Sequence, residues 1–277
     1  MALIQVNFLS KSLGRTVPMN VILPVDKLTF PGMTVRENKP FKTLYLLHGV
    51  FGNYTDWVSG TNIQRWAEDK ELAVVMPSGD NMFYVDNPDA NNYYGEFVGK
   101  ELVEITRRMF HLSTKREDTY IAGLSMGGYG AIRNGLKYHD TFGCIAGLSS
   151  ALITDGIEKR TNDSSFFIET RAYAESCFGD LNKVADSDMN PKWLAKKLVD
   201  TNGTKPKIYM ACGEEDFLLN ANREFKGFVE DLGWELTYEE GPGGHDWDFW
   251  NSYIKKVLEW LPLENNFAGI NSGNVGI

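Results

Sequence analysis

The stretch TYIAGLSMGGYG, residues 119–130, decides how this chain folds. A β-like run at 119–122 leads into a G-x-S-x-G pentapeptide at 123–127, and a helix-like run at 128–137 follows. Where a strand turns sharply into a helix, small residues must flank the turn because the two elements crowd together. This context predicts a nucleophile elbow, which lifts Ser125 above a sheet and aims a helix N-terminus at it.

Strands and helices alternate along the rest of the chain. Short continuous apolar runs are typical of strands buried on both faces, and they occur at 43–47, 73–76, 119–122, 144–148 and 207–212. Helical stretches separate these runs, most clearly at 93–110, and β-rich runs at 4–8 and 15–23 favour antiparallel edge strands. The pattern predicts an α/β fold with a mostly parallel sheet, antiparallel N-terminal edge strands and helices on both faces.

Length and loop spacing predict the domain organisation. With 277 residues, of which 43% are hydrophobic, the chain is long enough for one large domain, and we expect residues 1–277 to form it. Residues 149–206 separate two core strands on the C-terminal side of the sheet, where substrates enter such folds, so we expect a lid or cap insertion there. The tail at 264–277 is rich in Asn and Gly, which favours a disordered end or a strap across the surface.

Charge and cysteine content narrow the class of protein. The chain carries 28 Lys and Arg against 37 Asp and Glu, a net charge of -9, which repels phosphate backbones and anionic lipid headgroups. Residues 1–15 lack a basic segment followed by an apolar core, and no run of about 18 apolar residues occurs. Cys144, Cys177 and Cys212 cannot all pair within the chain, which fits a reducing compartment. We expect a cytoplasmic protein that binds neither nucleic acid nor membrane; the oligomeric state stays open, a homo-oligomer included.

A serine nucleophile needs a histidine to accept its proton and a carboxylate to hold that histidine in the right tautomer. His245 follows the last strand-like run, at 234–238, and precedes a helix-like stretch, which is where this fold places such a histidine. His111 and His139 suit a solvated surface, and His48 precedes the serine in the chain. The sequence therefore favours His245 as the base.

The matching carboxylate is expected in the loop after the strand at 207–212, where Glu214, Glu215 and Asp216 lie. One of the three must face the histidine. We favour Asp216 because a short side chain followed by the apolar Phe217 can be held rigid while the glutamates point to solvent.

Residues 48–52, HGVFG, provide the expected oxyanion hole. In this kind of site the amide of the residue after the nucleophile, here Met126, pairs with an amide from the loop after the third strand. Gly49 lets the backbone approach the substrate, and Val50 is the candidate second donor. No metal is needed for this chemistry.

Aromatic side chains also cluster near the expected site. Trp57 lies in the oxyanion loop, Tyr84 follows the fourth strand, and Trp247 lies just beyond the histidine. These three residues are candidates for substrate binding by stacking on an aryl or sugar ring. The alternative is that they pack the loops against each other.

Four motifs together resemble a known family: LYLLHG at 44–49, IAGLSMGGYG at 121–130, CGEEDFL at 212–218 and GHDW at 244–247. They look like the α/β-hydrolase esterases that include esterase D, S-formylglutathione hydrolases and tributyrin esterases, with mycolyltransferases as distant relatives. The bacterial short-acyl carboxylesterases are the most similar group. The resemblance implies the α/β-hydrolase fold, Ser125, Asp216 and His245 as the triad, and the amides of Val50 and Met126 as the oxyanion hole.

The resemblance also implies an activity. It indicates a serine carboxylesterase that hydrolyses short-chain acyl esters, acetyl to butyryl, and some relatives release acetyl or feruloyl groups from plant polysaccharide. The partner is a small-molecule ester, and an acyl-enzyme route needs no cofactor. An S-formylglutathione hydrolase-like thioesterase and an acyltransferase are alternatives, although Val50-Phe51-Gly52 lacks the cysteine common there in formylglutathione hydrolases. A non-catalytic binding protein is not expected to keep nucleophile, base, acid and oxyanion loop together.

Overall fold

An eight-stranded β-sheet forms the centre of the computed structural model, which describes residues 1–33, 36–264 and 269–270. The strands in chain order are β1 (Ala2–Ser10), β2 (Arg15–Leu23), β3 (Thr43–Leu47), β4 (Ala73–Pro77), β5 (Asp86–Asn87), β6 (Asn92–Tyr93), β7 (Thr119–Leu124), β8 (Cys144–Leu148), β9 (Lys207–Gly213) and β10 (Thr237–Gly241). The two-residue strands β5 and β6 form a separate antiparallel pair.

The strand order of the large sheet is β1-β2-β4-β3-β7-β8-β9-β10. β2 pairs antiparallel with β1 and β4, and the remaining neighbours, from β4 to β10, pair parallel. Every residue of β3, β4 and β8 is buried, as expected for apolar runs with both faces covered. The predicted α/β-hydrolase fold, with a mostly parallel sheet and an antiparallel N-terminal edge, is confirmed.

Helices cover both faces of the sheet. The α-helices are α1 (Asp56–Gly60), α2 (Ile63–Asp69), α3 (Tyr94–Glu96), α4 (Leu102–Met109), α5 (Met126–Lys137), α6 (Arg171–Phe178), α7 (Pro191–Asp200), α8 (Leu219–Asp231) and α9 (Trp247–Trp260). Side chains alternate along β3: Leu44 and Leu46 face a core that includes α1, α2 and α9, while Tyr45 and Leu47 face a core with α4, α5, α7 and α8. Over the described part of the chain, no helix combines the length and apolar character needed to cross a membrane.

Two predicted elements differ in detail from the structure. The helix expected at 93–110 is divided into α3, a π-helical turn at Phe97–Glu101, and α4. The last strand, expected at 234–238, is β10 at Thr237–Gly241. It pairs parallel with β9, with Gly241 opposite Gly213. Trp234 instead packs into the core just before the strand, and its amide donates to the Val229 carbonyl at the end of α8 (3.2 Å).

The connection from β8 to β9 contains α6 and α7, with short 3-10 turns before α6 and between the two helices. α7 packs against α5 and α8, so it is the crossover helix that a parallel β8–β9 pair requires. The buried Arg133 of α5 holds the preceding turn, because its Nε donates to the Asp188 carbonyl (2.8 Å) and its Nη2 pairs with the Asp188 carboxylate (3.1 Å). Only the part of 149–206 before α7 therefore remains available as a cap.

The expectation for the tail at 264–277 falls mainly outside the described residues. Ile270, which is described, exchanges two backbone hydrogen bonds with Leu28 (2.9 and 2.8 Å).

Candidate active site

Ser125 occupies a sharp turn between β7 and α5. Its backbone has φ 53° and ψ -118°, a conformation that costs a residue with a side chain on the order of 1–3 kcal/mol. Glycines make the turn possible: a Cβ at Gly123 would lie 2.2 Å from the Gly127 carbonyl oxygen, and one at Gly127 would lie 2.4 Å from the Leu47 carbonyl oxygen. Residues 123–127 thus fold as an elbow that places the serine side chain at the carboxyl edge of the sheet, where it lines a cavity.

His245 and Asp216 reach the same edge from two other loops. His245 lies between β10 and α9, and its Nε2 is 3.0 Å from Ser125 Oγ. Asp216 follows β9, and its Oδ2 is 2.9 Å from His245 Nδ1. Both distances are hydrogen-bond lengths, so the three side chains form a continuous relay from carboxylate to hydroxyl.

Asp216 is the one carboxylate of the Glu214-Glu215-Asp216 run that contacts His245. It is only 5% exposed, and its Oδ1 accepts the Leu218 amide (2.8 Å). Burial by itself would raise the pKa of Asp216, but hydrogen bonds from His245, the Leu218 amide and the Ser149 hydroxyl hold that pKa below its usual range. Asp216 therefore carries the charge that orients His245.

Glu215 was expected to point to solvent, but its carboxylate is hydrogen-bonded to the loop that carries His245. Its Oε2 accepts the amide of Gly243 (2.7 Å), in the loop that carries His245. Two rings also contact the imidazole of His245: Phe217, with centroids 4.7 Å apart, and Trp250, at 4.9 Å. These contacts hold the loop and the ring of the histidine in place.

The two backbone amides predicted to form the oxyanion hole belong to Met126 and Val50. Met126 is the first residue of α5, and amides of a first helical turn have no acceptor within the helix. Val50 lies in the loop after β3, which passes close to the serine: a Cβ at Gly49 would be 2.7 Å from Leu124 Cδ1 and 3.4 Å from Ser125 Cβ. Glycine at position 49 thus permits the approach of this loop to the elbow.

A cavity of about 590 Å³ opens above Ser125. Its walls are mostly apolar and come from the loops after β3, β4, β7, β9 and β10 and from the part of the β8–β9 connection that precedes α7. The side chains contributed by that connection are Ala151, Ile153, Arg160, Phe166, Ile168 and Glu169. Apart from Phe166, which is adjacent to Phe167 in a mostly polar stretch, these residues had no signal in the sequence, because their direction depends on how the connection folds.

The three aromatic candidates separate into two groups. Trp247 lines the cavity, next to Trp250. Trp57 and Tyr84 do not: they are 1% and 0% exposed. The Trp57 Nε1 donates to the Leu47 carbonyl (3.0 Å), and the Tyr84 hydroxyl donates to the His48 carbonyl (3.0 Å), so both rings pack the loops together. The expectation that Trp57 and Tyr84 bind substrate is corrected accordingly, and Phe83 is the neighbour that reaches the cavity.

His48 is also a structural residue. It is 1% exposed, its Nε2 accepts the Gly79 amide (2.8 Å), and its Nδ1 lies 2.6 Å from the Gly49 carbonyl oxygen. These bonds require the neutral ring with its proton on Nδ1. Burial lowers the pKa of His48, which keeps the ring in this neutral form.

Comparison with known proteins identifies relatives with the same architecture. The "Esterase" family model matches residues 10–261. The acetyl esterase of Caldicellulosiruptor saccharolyticus is 47% identical over 94% of this chain and 98% of that protein. Two Staphylococcus aureus structures, the serine hydrolase FphF and the S-formylglutathione hydrolase FrmB, are each 32% identical over 94% of this chain and 98% of theirs, with TM-scores of 0.81 and 0.79. The chain belongs to the esterase family that these proteins represent, and it is a carboxylesterase of the α/β-hydrolase fold.

Proposed function

We propose that this carboxylesterase hydrolyses short-chain acyl esters, acetyl to butyryl, through an acyl-enzyme formed on Ser125. The observation that carries the proposal is the relay of Asp216, His245 and Ser125 on the floor of an apolar cavity. The name of the acetyl esterase that is 47% identical supports the short acyl group.

In the proposed reaction, Ser125 Oγ attacks the ester carbonyl carbon while His245 Nε2 takes the hydroxyl proton. The negative carbonyl oxygen is stabilised by the amides of Val50 and Met126, each worth about 3 kcal/mol in the transition state. When the tetrahedral intermediate collapses, the C–O bond to the alcohol breaks and His245 gives its proton to the leaving oxygen. Water then attacks the acyl-enzyme by the same steps and releases the carboxylic acid. Asp216 stays charged and orients the imidazole throughout.

The organisation of the chain is part of the proposal. Residues 1–277 are taken as a single domain, and the part of 149–206 that precedes α7 is taken as a cap that limits the length of the acyl group. The cavity walls at Ile153, Phe166 and Ile168 support this role of the cap. We also place the enzyme in the cytoplasm, which the three free, buried cysteines support.

The triad assignment predicts a specific pattern of losses. Ser125→Ala and Asp216→Asn are each expected to lower kcat by at least ~10³ while the thermal midpoint changes little. Glu214→Gln, on the exposed side of the same loop, is the matched control and is expected to keep the wild-type rate. The measurement is initial rate on 4-nitrophenyl acetate. A normal kcat in Asp216→Asn together with a collapse in Glu214→Gln would overturn the acid assignment.

The mechanism uses protein groups alone, so dialysis against EDTA is expected to leave kcat/KM unchanged. The readout is the initial rate before and after dialysis, with a zinc-dependent esterase treated in parallel as a control. Lost activity that a divalent metal restores would contradict the cofactor-free mechanism.

A substrate panel tests the acyl group. Acetyl to butyryl esters are expected to exceed octanoyl esters by tenfold or more in kcat/KM, a difference of ~1.4 kcal/mol that a steric wall can supply. Feruloyl esters and S-formylglutathione complete the panel, and added alcohols tested as acceptors separate hydrolysis from acyl transfer. A preference for the thioester or for an alcohol over water would favour the corresponding alternative.

A further inference from the structure

The loop after β4, residues 78–85, holds the oxyanion loop in place by hydrogen bonds. Near the base of the oxyanion loop, the Gly79 amide donates to His48 Nε2 (2.8 Å). The Tyr84 hydroxyl donates to the His48 carbonyl (3.0 Å). Further along, the amide of Tyr54 donates to the Ser78 hydroxyl (3.2 Å). One more bond lies beside the site itself.

That bond joins Asn81 to Phe51, the residue after the proposed oxyanion donor. The Phe51 amide donates to Asn81 Oδ1 (2.8 Å), and Phe51 has φ 66° although it is not glycine. A left-handed backbone conformation at a residue other than glycine costs on the order of 1–2 kcal/mol, and it persists only where surrounding contacts hold it. The Asn81 oxygen therefore fixes the peptide plane between Val50 and Phe51, and with it the backbone that aims the Val50 amide.

The backbone of Asn81 faces the cap. Its carbonyl oxygen accepts the hydroxyl of Tyr173 (2.6 Å) and the thiol of Cys177 (3.4 Å), both from α6. The side chain and the main chain of one residue thus connect α6 to the oxyanion loop.

We propose that Asn81 is a positioning residue for the reaction, which holds the Val50 amide at the oxyanion and couples it to the cap helix α6. This inference rests on the proposed function, since it takes Val50 as an oxyanion donor. Asn81 does not contact the reacting atoms; it acts through the backbone of Phe51. Because the oxyanion forms only after attack, a loss of alignment is expected to affect kcat rather than substrate binding.

Variants at position 81 separate an effect on the alignment of the Val50 amide from an effect on the stability of the fold. Asn81→Leu removes the acceptor at similar volume, and Asn81→Asp keeps an oxygen at the same place. With 4-nitrophenyl acetate, Asn81→Leu is expected to lose about 10- to 100-fold in kcat with KM within about twofold. Asn81→Asp is expected to recover most of that loss. Tyr173→Phe, which removes only the bond to the Asn81 carbonyl, is expected to show a smaller loss of kcat.

A tetrahedral mimic gives a readout that a structural role would not move. Ser125 Oγ adds to the carbonyl carbon of a short aliphatic trifluoromethyl ketone, and the carbonyl oxygen becomes an oxyanion. The inhibition constant of this ketone is therefore expected to increase in Asn81→Leu by about the same factor by which kcat falls. If Asn81→Leu does not fold, Asn81→Ser, whose hydroxyl is too short to reach the Phe51 amide, takes its place. A folded variant with wild-type kcat, or with a change in KM alone, overturns the inference. An active Ser125→Ala enzyme would instead overturn the proposed function.

Discussion

At the scale of single residues, His48 links the active-site loops to acid stability. Burial lowers its pKa in the folded protein. Below about pH 6.5, His48 therefore binds a proton in the unfolded chain but stays neutral in the folded protein. Its contribution to stability is therefore complete above about pH 6.5 and is lost as the pH falls toward the folded-state pKa. Each pH unit in that window costs at most about 1.4 kcal/mol.

Urea unfolding at pH 7.5, 6.5 and 5.5 checks this expectation. His48→Gln keeps an acceptor for the Gly79 amide but cannot be protonated, so its free energy of unfolding is expected to fall less between pH 6.5 and 5.5 than that of wild type. The three other histidines are present in both proteins and cancel in the difference. Equal slopes would show that His48 does not control acid stability.

The glycines of the chain predict opposite effects at two positions. A Cβ at Gly127 would be 2.4 Å and 2.6 Å from the carbonyl oxygens of Leu47 and His48, both backbone atoms. Gly127→Ala is therefore expected to lower the free energy of unfolding by about 1–3 kcal/mol and to reduce kcat, because the elbow must shift. At Gly227, inside α8, a Cβ would meet nothing within 4 Å. Gly227→Ala is the matched control and is expected to gain about 0.5–1 kcal/mol with normal activity. Denaturant unfolding measures the free energy of unfolding of both variants. A gain for Gly127→Ala or a loss for Gly227→Ala would contradict the prediction.

At the scale of elements, the cap contains a pair of neighbouring rings with different roles. Phe166 and Phe167 are 48% and 47% exposed, but only Phe166 lines the cavity. Phe166→Ala is expected to narrow the kcat/KM ratio of acetyl to octanoyl esters, because it widens the wall, and Phe167→Ala is expected to leave that ratio near wild type. Steady-state rates on the two esters measure the effect. Equal ratios in both variants would show that the cap does not set the length limit.

Predictability from sequence also differs between elements. β3, β8 and β9 were predicted because strands buried on both faces are apolar along most of their length, and in β9 only the first residue, Lys207, is exposed. β10 lies at the edge of the sheet with most residues half-buried, and its sequence TYEEG contains two glutamates. The prediction was therefore placed on the strand-like run WELTY at 234–238, which overlaps only the first two residues of β10. Trp57 and Tyr84 lie near the site as expected, but each ring is buried and hydrogen-bonded to a carbonyl oxygen of another segment, a contact that no local pattern encodes.

At the scale of the whole molecule, the site could be anticipated because a parallel sheet places the carboxyl ends of its strands at one edge. Ser125, Asp216 and His245 follow β7, β9 and β10. Their order in the chain was therefore enough to predict that the three side chains lie close together. The cavity could not be anticipated in the same way. Its outer wall depends on irregular turns such as the one at Phe166, and on the Asn81 bonds between loops that are distant in sequence.

The same gathering of strand ends sets the moment at which the enzyme becomes active. A chain emerging from the ribosome folds from its N-terminus, and β9 and β10, which Asp216 and His245 follow, are synthesised after β7, which precedes Ser125. A nascent chain that has produced Ser125 but not His245 has a hydroxyl with no proton acceptor. By the proposed mechanism, hydrolysis thus requires synthesis to pass His245, and a product truncated before that residue is expected to be inert rather than partly active.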